Sequence, residues 1–299
     1  MTWSGVYPAV TTQFRPDESL DLELTQRLTV AQLDDGVDGI IALGTCGENS
    51  SLTPAEKQTV LKALREAVGR RAPLLAGVAE AGTRMACEYV EAADRAGVDG
   101  FLVLPPMIYA SQPRETLAHL RSVAARTAKP LMIYNNPATY RIDVTVEMLA
   151  SLTDVANIVA VKESSEDARR ITDLRNRVGE RYEIFAGVDD LVLEAVMLGA
   201  VGWVSGLTGA FPREAVAMFK LARAGRYAEA LTIYRWLMPV LHLDSIPTLV
   251  QCIKLASALV GRGTEHTRAP RLPLEGAERA RVTRLIEELQ KTRPPLPSA

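Results

Sequence analysis

Cysteine is scarce in this chain. Three residues in 299, Cys46, Cys87 and Cys252, cannot build a disulfide framework, and so few thiols fit a reducing cytoplasm. Histidine is no richer: His119, His242 and His266 lack the close spacing of a metal site, so no metal is expected and these rings are read as surface or helix-packing groups. Charge of one sign is missing too. The 34 Lys and Arg against 36 Asp and Glu leave a net charge of −2, which gives no electrostatic footprint for nucleic acid or an anionic membrane. No apolar run approaches the roughly 20 residues of a membrane span. The opening "MTWSGVYPAVTTQF" has no basic segment followed by a long apolar one, so no secretion signal is read there. These absences leave a cytoplasmic globular protein, large enough to bury its core without covalent staples.

What the sequence does have is a repeat. "DGVDGIIALG" (35–44) is echoed by "AGVDGFLVLP" (96–105) and, more loosely, by "LGAVGWVSG" (198–206). Each copy follows a helical stretch, offers a glycine for a left-handed cap, and continues into a short apolar run suited to a strand buried on both faces. Similar runs occur at 5–12, 73–79, 130–135, 157–162 and 183–187, making eight strands. Helical stretches separate them. One, "SLTPAEKQTVLKALREAV", carries Thr53 as N-cap, Pro54 in the first turn and Glu56 three residues after the cap. Alternating strands and helices imply parallel pairing with right-handed crossovers, and eight such units predict a (β/α)₈ TIM barrel. An open dinucleotide-binding sheet is the competing fold, but no G-x-G-x-x-G follows the first strand. The barrel is expected over residues 1–225, with a C-terminal extension of three helices over 226–299.

In such a barrel the functional groups gather at the carboxyl ends of the strands, which share one face. Those ends bring together Thr11 and Thr12, Thr45, Cys46 and Glu48 of "GTCGE", Tyr134 and Asn135, Lys162, Gly187 with Asp189 beyond it, and Ser205 with Gly206. The lysine is the informative one. It ends the apolar run "NIVAVK", where a snorkelling or salt-bridged side chain is the ordinary outcome. An amine is nucleophilic only when unprotonated, and from a pKa of about 10.4 that takes about 4 kcal/mol of bias near neutral pH. A desolvated barrel interior supplies such a bias, as in Schiff-base lysines. With Tyr134 and the "GTCGE" turn on the same rim, the imine-forming reading is favoured. Glu163, next along the strand, points away from the cavity and makes a poor base. Cys46 is read as a small pocket wall rather than a reactive thiol, and Glu48 as an anchor of its turn. Asp189 and Asp190 suit either substrate contact or capping of the next helix.

Four segments in order resemble one family. "GTCGE", "YNNP", "VKESS" and "FAGVDD…LGAVGWVSG" are similar to the corresponding motifs of the dihydrodipicolinate synthase/N-acetylneuraminate lyase family, over essentially the whole chain. The resemblance implies a (β/α)₈ barrel, commonly a homotetramer, acting on 2-oxo acids such as pyruvate through a lysine imine without any cofactor. It assigns the imine to Lys162, proton shuttling to Tyr134, and the substrate carboxylate to Thr45 and the backbone around Cys46 and Gly47. Gly187, Val204, Asn136 and Ser205 would complete the substrate pocket. Two positions depart from the synthase pattern. The tyrosine that reaches into a neighbouring subunit's proton relay falls at Met107, with Tyr109 two residues on. The arginine for the aldehyde substrate falls at Thr139, with Arg141 out of register. "LPPMIYASQPRET", "YNNPATYRID" and "HLDSIPTLVQCIK" look more like the branch that deaminates 1-pyrroline-4-hydroxy-2-carboxylate in hydroxyproline breakdown. That activity is the leading expectation. A 4-hydroxy-tetrahydrodipicolinate synthase, a pyruvate-dependent aldolase or dehydratase of 2-keto-3-deoxy sugar acids, and a non-catalytic small-molecule-binding barrel are the other readings.

Overall fold

The structure is a computed structural model that describes residues 3–106 and 109–297. Eight short parallel strands form one sheet: β1 (Gly5–Pro8), β2 (Ile40–Ala42), β3 (Leu74–Val78), β4 (Gly100–Val103), β5 (Leu131–Asn135), β6 (Ile158–Glu163), β7 (Glu183–Ala186) and β8 (Gly202–Ser205). Their spatial order is β1-β8-β7-β6-β5-β4-β3-β2. A parallel bridge between Ala9 and Ile41, with the Val10 N–H donating to Ile41 O, brings β1 back to β2 and nearly closes the ring. This is a TIM barrel with additional C-terminal helices. The first strand is shorter than the apolar run 5–12 suggests, because beyond Ala9 the chain leaves the sheet toward the mouth.

The repeat has a structural meaning at the amino-terminal end of the barrel. Its glycines, Gly36, Gly97 and Gly199, take φ of +95°, +88° and +105°, a region closed to most side chains, and turn the chain from helix back to strand. In the two closer copies the aspartate then caps the edge of the ring. Asp38 accepts from the Val6 N–H at 2.8 Å and Asp99 from the Leu74 N–H at 2.8 Å. The helix Pro54–Val68 starts on the capping box read from the sequence, with the Thr53 side chain accepting from Glu56 N and the Glu56 carboxylate from Thr53 N.

The tail forms three helices, Tyr227–Leu241, Leu249–Leu259 and Gly276–Lys291. Trp236 packs edge-on against Phe211 at 5.5 Å and donates to Leu289 O, so it joins helices as expected. Tyr234 reaches across to the barrel, where its hydroxyl donates to Glu194 Oε2 at 2.8 Å. None of the helices in the described residues is long and apolar enough to cross a membrane. The turn 242–248 between the first two tail helices lies over the carboxyl end of the barrel.

Because Asp38 sits at the end opposite that mouth, its role is separable from chemistry. Asp38→Ala leaves the Val6 N–H without its acceptor and should cost about 1–3 kcal/mol in urea denaturation, with turnover retained at temperatures where the variant stays folded.

Candidate active site

The site is set by register. Between β5 and β6 the pairing slips by one residue after Leu131, so that Leu131 faces Ile158 but Met132 faces Ala160. Val159 is the extra residue of this bulge. From there on Tyr134 is level with Lys162, and Asn135 with Glu163. Residues level on adjacent parallel strands point the same way, and successive residues point opposite ways. Tyr134 and Lys162 therefore share the inner face. The Lys162 amine lies 4.0 Å from the centroid of the Tyr134 ring, and the two side chains are only 8% and 7% exposed.

Asn135 and Glu163 occupy the outer face and lock the strand tips. Asn135 Nδ2 donates to Glu163 Oε2 at 3.2 Å, its Oδ1 accepts from Val144 N, and Glu163 Oε1 accepts from Ser165 N at 2.7 Å. Burial raises the Glu163 carboxyl above its ordinary range. As its place in the sequence suggests, it faces away from the lysine.

Above the tyrosine and lysine opens a cavity of about 420 Å³, with Thr45, Asn136, Tyr140, Ser164, Gly187 and Asp244 in its wall. Gly187 is there for want of space. A Cβ on it would lie 1.9 Å from Ser164 Oγ and 2.8 Å from Lys162 Cγ, so the lysine stem and this glycine share the same volume. The buried Ser164 hydroxyl lines the cavity beside the Tyr134 phenol. Asn136 donates through Nδ2 to the Tyr134 hydroxyl oxygen at 3.1 Å, so the phenol's own proton is free to be given elsewhere. Burial, the largest influence, raises the Tyr134 pKa well above that of a free phenol. Tyr134 is thus a proton-bearing acid at neutral pH.

The "GTCGE" turn is held from below by the tail. Glu48 has a left-handed backbone, φ 53°, and a fully buried carboxylate that pairs with Lys254 Nζ at 2.5 Å. It also accepts from Arg268 N at 3.0 Å. Lys254 in turn donates to His266 O at 2.7 Å, and burial, countered by Glu48, pulls its pKa down to about 8. Glu48 is an anchor, as read, but its partner Lys254 was invisible in sequence. Gly47 gives its carbonyl to Thr12 Oγ1 at 2.7 Å. Cys46 is buried, and burial pushes its thiol up to about 12, so it is not a thiolate at neutral pH.

Most of the other predicted residues lie off the cavity wall. Val204 is buried on β8 beside Tyr7. Ser205 turns its hydroxyl to Asp189 Oδ2 at 2.8 Å and accepts from Thr208 N. Asp189 is fully buried, takes a further bond from Trp203 Nε1 at 2.9 Å, and has its carboxyl raised by burial first and by Asp244 second. Its neighbour Asp190 binds His242 Nδ1 at 2.6 Å, and His119 is buried beside Thr83. Thr139 lines the cavity, whereas Arg141 is exposed with a left-handed backbone. Met107 lies outside the described residues.

Of the wall residues not singled out from sequence, three bear most on the chemistry. Tyr140 hydrogen-bonds Thr45 through its hydroxyl. Asp244, on the turn between tail helices, is half-buried, and its carboxyl is pushed up to about 6 by burial, against the pull of Lys162 and with the repulsion of Asp190. Arg271 enters from the loop before the last helix. The first two sit inside quoted segments, "YNNPATYRID" and "HLDSIPTLVQCIK"; Arg271 belongs to no motif.

A barrel whose mouth shields a lysine against a tyrosine is the architecture of the class I, imine-forming lyases, and this chain is an enzyme of that class. The comparisons agree. The model of the dihydrodipicolinate synthetase family matches residues 2–289. A 4-hydroxy-tetrahydrodipicolinate synthase from Acidobacterium capsulatum is 33% identical over 291 residues, 97% of this chain and 96% of the relative. One from a Synechococcus species is 35% identical over 286 residues, 95% of this chain and 94% of the relative. Among solved structures, the 4-hydroxy-tetrahydrodipicolinate synthase of Methylacidiphilum fumariolicum superposes with a TM-score of 0.92 at 28% identity, covering 97% of this chain and 96% of that one. A prophage protein of the dihydrodipicolinic acid synthase family from E. coli K12, in complex with pyruvate, gives 0.91 at 28%, covering 97% and 99%. The chain belongs to the dihydrodipicolinate synthetase family, whose enzymes work through a lysine imine and need no separate cofactor.

The Glu48–Lys254 pair is completely buried, so breaking it strands a charge. Lys254→Met should cost about 3–5 kcal/mol of stability, read as a lowered urea midpoint. The double variant with Glu48→Gln should recover part of that loss, because no unpaired charge remains.

Proposed function

We propose that Lys162 forms the imine and that the enzyme dehydrates and deaminates a hydroxylated cyclic 2-imino acid, with 1-pyrroline-4-hydroxy-2-carboxylate as substrate. In this reading the Lys162 nitrogen adds to the ring carbon C2, and collapse of the adduct expels the ring nitrogen as an amine and opens the ring. The new imine acidifies the C3 protons. Loss of one of them and of the C4 hydroxyl, leaving as water, gives an unsaturated imine. A proton shift from C5 to C3 and reprotonation at C4 turn the terminal amine into an imine, and water hydrolyses both imines. The sum is one substrate and one water giving 2-oxoglutarate semialdehyde and ammonia. Tyr134 moves protons at the carbon beside the imine. Thr45 and the amides of the "GTCGE" turn hold the carboxylate, as backbone N–H groups in such turns do, and Ser164 offers a further hydroxyl.

Asp244 is the observation that carries the choice of reaction. A carboxyl titrating near 6 and within electrostatic reach of Lys162 is part-protonated near neutral pH and suited to protonate a leaving hydroxyl. Imine formation from a 2-oxo acid also expels a hydroxyl, from the carbinolamine, but the later carbon–carbon bond formation does not, so the acid matters beyond the imine only for the dehydration. The absence of an arginine at Thr139 points the same way, since a second substrate's carboxylate loses its expected partner there.

A second reading, 4-hydroxy-tetrahydrodipicolinate synthase, is favoured by the names of the relatives. Assaying the purified chain side by side separates the two. Ammonia release from the hydroxy-pyrroline with slow condensation of pyruvate and aspartate semialdehyde supports the deaminase; the reverse outcome refutes it. In either case borohydride with pyruvate should add a reduced adduct to Lys162, and Lys162→Ala should lose it while staying folded. A barrel that only binds small molecules would take up no adduct.

Asp244 sets a pH limb. It is protonated below about 6 and anionic above, so the dehydration rate should fall as pH rises through that value. Asp244→Asn should flatten the limb and slow dehydration roughly 10²-fold, with adduct formation at Lys162 retained. An unaltered pH profile in the variant removes Asp244 from the reaction.

A further inference from the structure

A carboxylate that enters a shielded cavity brings a full negative charge, and this cavity has few cations to meet it. Lys254 is taken by Glu48 at 2.5 Å, with both side chains fully buried, so that pair is neutral. The Arg268 guanidinium is taken by Glu56 Oε1 at 2.8 Å and by Glu18 O at 3.0 Å. Lys162 must give up its proton before it adds to a carbon, so its charge does not serve a carboxylate at that step. Arg271 remains. It lines the cavity together with Thr45 and is half-buried, and among the described residues its guanidinium shares in no ion pair, those beside it being Lys254–Glu48 and Arg268–Glu56. Its place is fixed by the loop before the last helix. The Arg271 N–H donates to Arg268 O at 3.1 Å, and its carbonyl accepts from Thr267 Oγ1 at 3.1 Å. The Arg268 N–H in turn donates to the Glu48 carboxylate at 3.0 Å, which ties residues 267–271 to the "GTCGE" turn itself. The Arg271 charge reaches the Cys46 thiol, whose ionised form it favours, and the Lys254 ammonium, which it disfavours.

We propose that Arg271 is a specificity-determining residue whose guanidinium pairs with the carboxylate of the 2-oxo or 2-imino acid on the Thr45 side of the cavity. The inference rests on the imine reading at Lys162 and adds a cation from the tail to the amides of the "GTCGE" turn. Backbone N–H groups solvate an anion but carry no net charge. A guanidinium supplies the charge and matches a carboxylate with two parallel donors. The carboxylate is the same in substrate, imine and product, so the pair holds ground state and transition state alike, and its loss falls on KM rather than kcat. It also selects among ligands. A neutral amide of the same shape gains nothing from Arg271, so the cavity prefers the acid.

The test compares the full chain with Arg271→Met and Arg271→Lys, using pyruvate and its neutral amide, pyruvamide, as probes. Calorimetry gives the Kd of each probe, and borohydride adduct mass against concentration gives the half-saturation point and the plateau. In Arg271→Met the Kd and half-saturation for pyruvate should rise about 10–100-fold with the plateau retained, while those for pyruvamide stay within about twofold of the parent. Arg271→Lys keeps the charge without the planar fork and should recover part of the loss. Added salt should weaken pyruvate binding to the parent more than to Arg271→Met. Equal pyruvate affinity in the parent and Arg271→Met overturns the inference. So does an equal loss for pyruvate and pyruvamide, which marks a disturbed cavity wall instead of a missing charge. A parent that binds pyruvate but takes up no adduct refutes the imine reading, and the pyruvate Kd of Arg271→Met then decides the role of Arg271 separately. A parent that binds no pyruvate refutes both.

Discussion

A one-residue bulge at Val159 is the constraint on which this site depends. Without the slip between Leu131 and Met132, Val161 would stand level with Tyr134, and Lys162 would point outward into the helical layer. With it, the amine is delivered onto the face of the phenol. Parallel strands tolerate such an irregularity only where neighbouring contacts hold it. The outer-face cluster of Asn135, Glu163, Ser165 N and Val144 N does so, pinning both strand ends one residue beyond Tyr134 and Lys162. Glu163 contributes to chemistry only in that sense, by keeping its neighbour aimed inward.

The tail is as much a part of the site as the strands. Lys254 reaches from the helix Leu249–Leu259 to neutralise Glu48 under the "GTCGE" turn, and the turn before that helix brings Asp244 to the cavity wall, within electrostatic reach of Lys162. A strained left-handed residue in that turn is affordable because two partners, Lys254 and the Arg268 N–H, hold its side chain. Barrel and extension therefore cannot vary independently at this end.

The fold was legible because its signals are local: eight apolar runs, glycines at helix ends, a capping box at Thr53. Lys162 and Tyr134 were legible because a lysine closing an apolar strand contradicts its own solvation, and the contradiction points to the mouth of a barrel. What escaped was three-dimensional. The bulge at Val159 leaves no composition signal, and apolar residues on either side read alike. Lys254 looks like one more cation in an amphipathic helix until Glu48 is seen against it. Ser205 ends a strand, so strand counting alone suggests a pocket role, but Asp189 and the Thr208 amide take its hydroxyl. Tyr140 and Asp244 lay inside quoted segments whose pattern says nothing of direction.

The charge pattern of the mouth separates binding from chemistry. Asp189 and Asp244 are both raised, Asp189 by burial and then by Asp244, Asp244 by burial and, against the pull of Lys162, by Asp190, yet they differ in what they touch. Asp189 is held by an indole N–H and a serine hydroxyl and has no contact left for a substrate. Asp244 faces the cavity on a turn of the tail. Burial and the nearby Asp190, rather than Asp189, bias Asp244 toward keeping its proton. A proton-bearing acid beside the cavity suits the expulsion of a hydroxyl from a lysine-bound substrate. It suits the capture of a second, anionic aldehyde less well, because an ionised Asp244 repels that anion and a protonated one gives it no cation. Arg271 is the group in the wall that could reverse this balance, and it comes from the loop before the last helix rather than from any motif that marks the family.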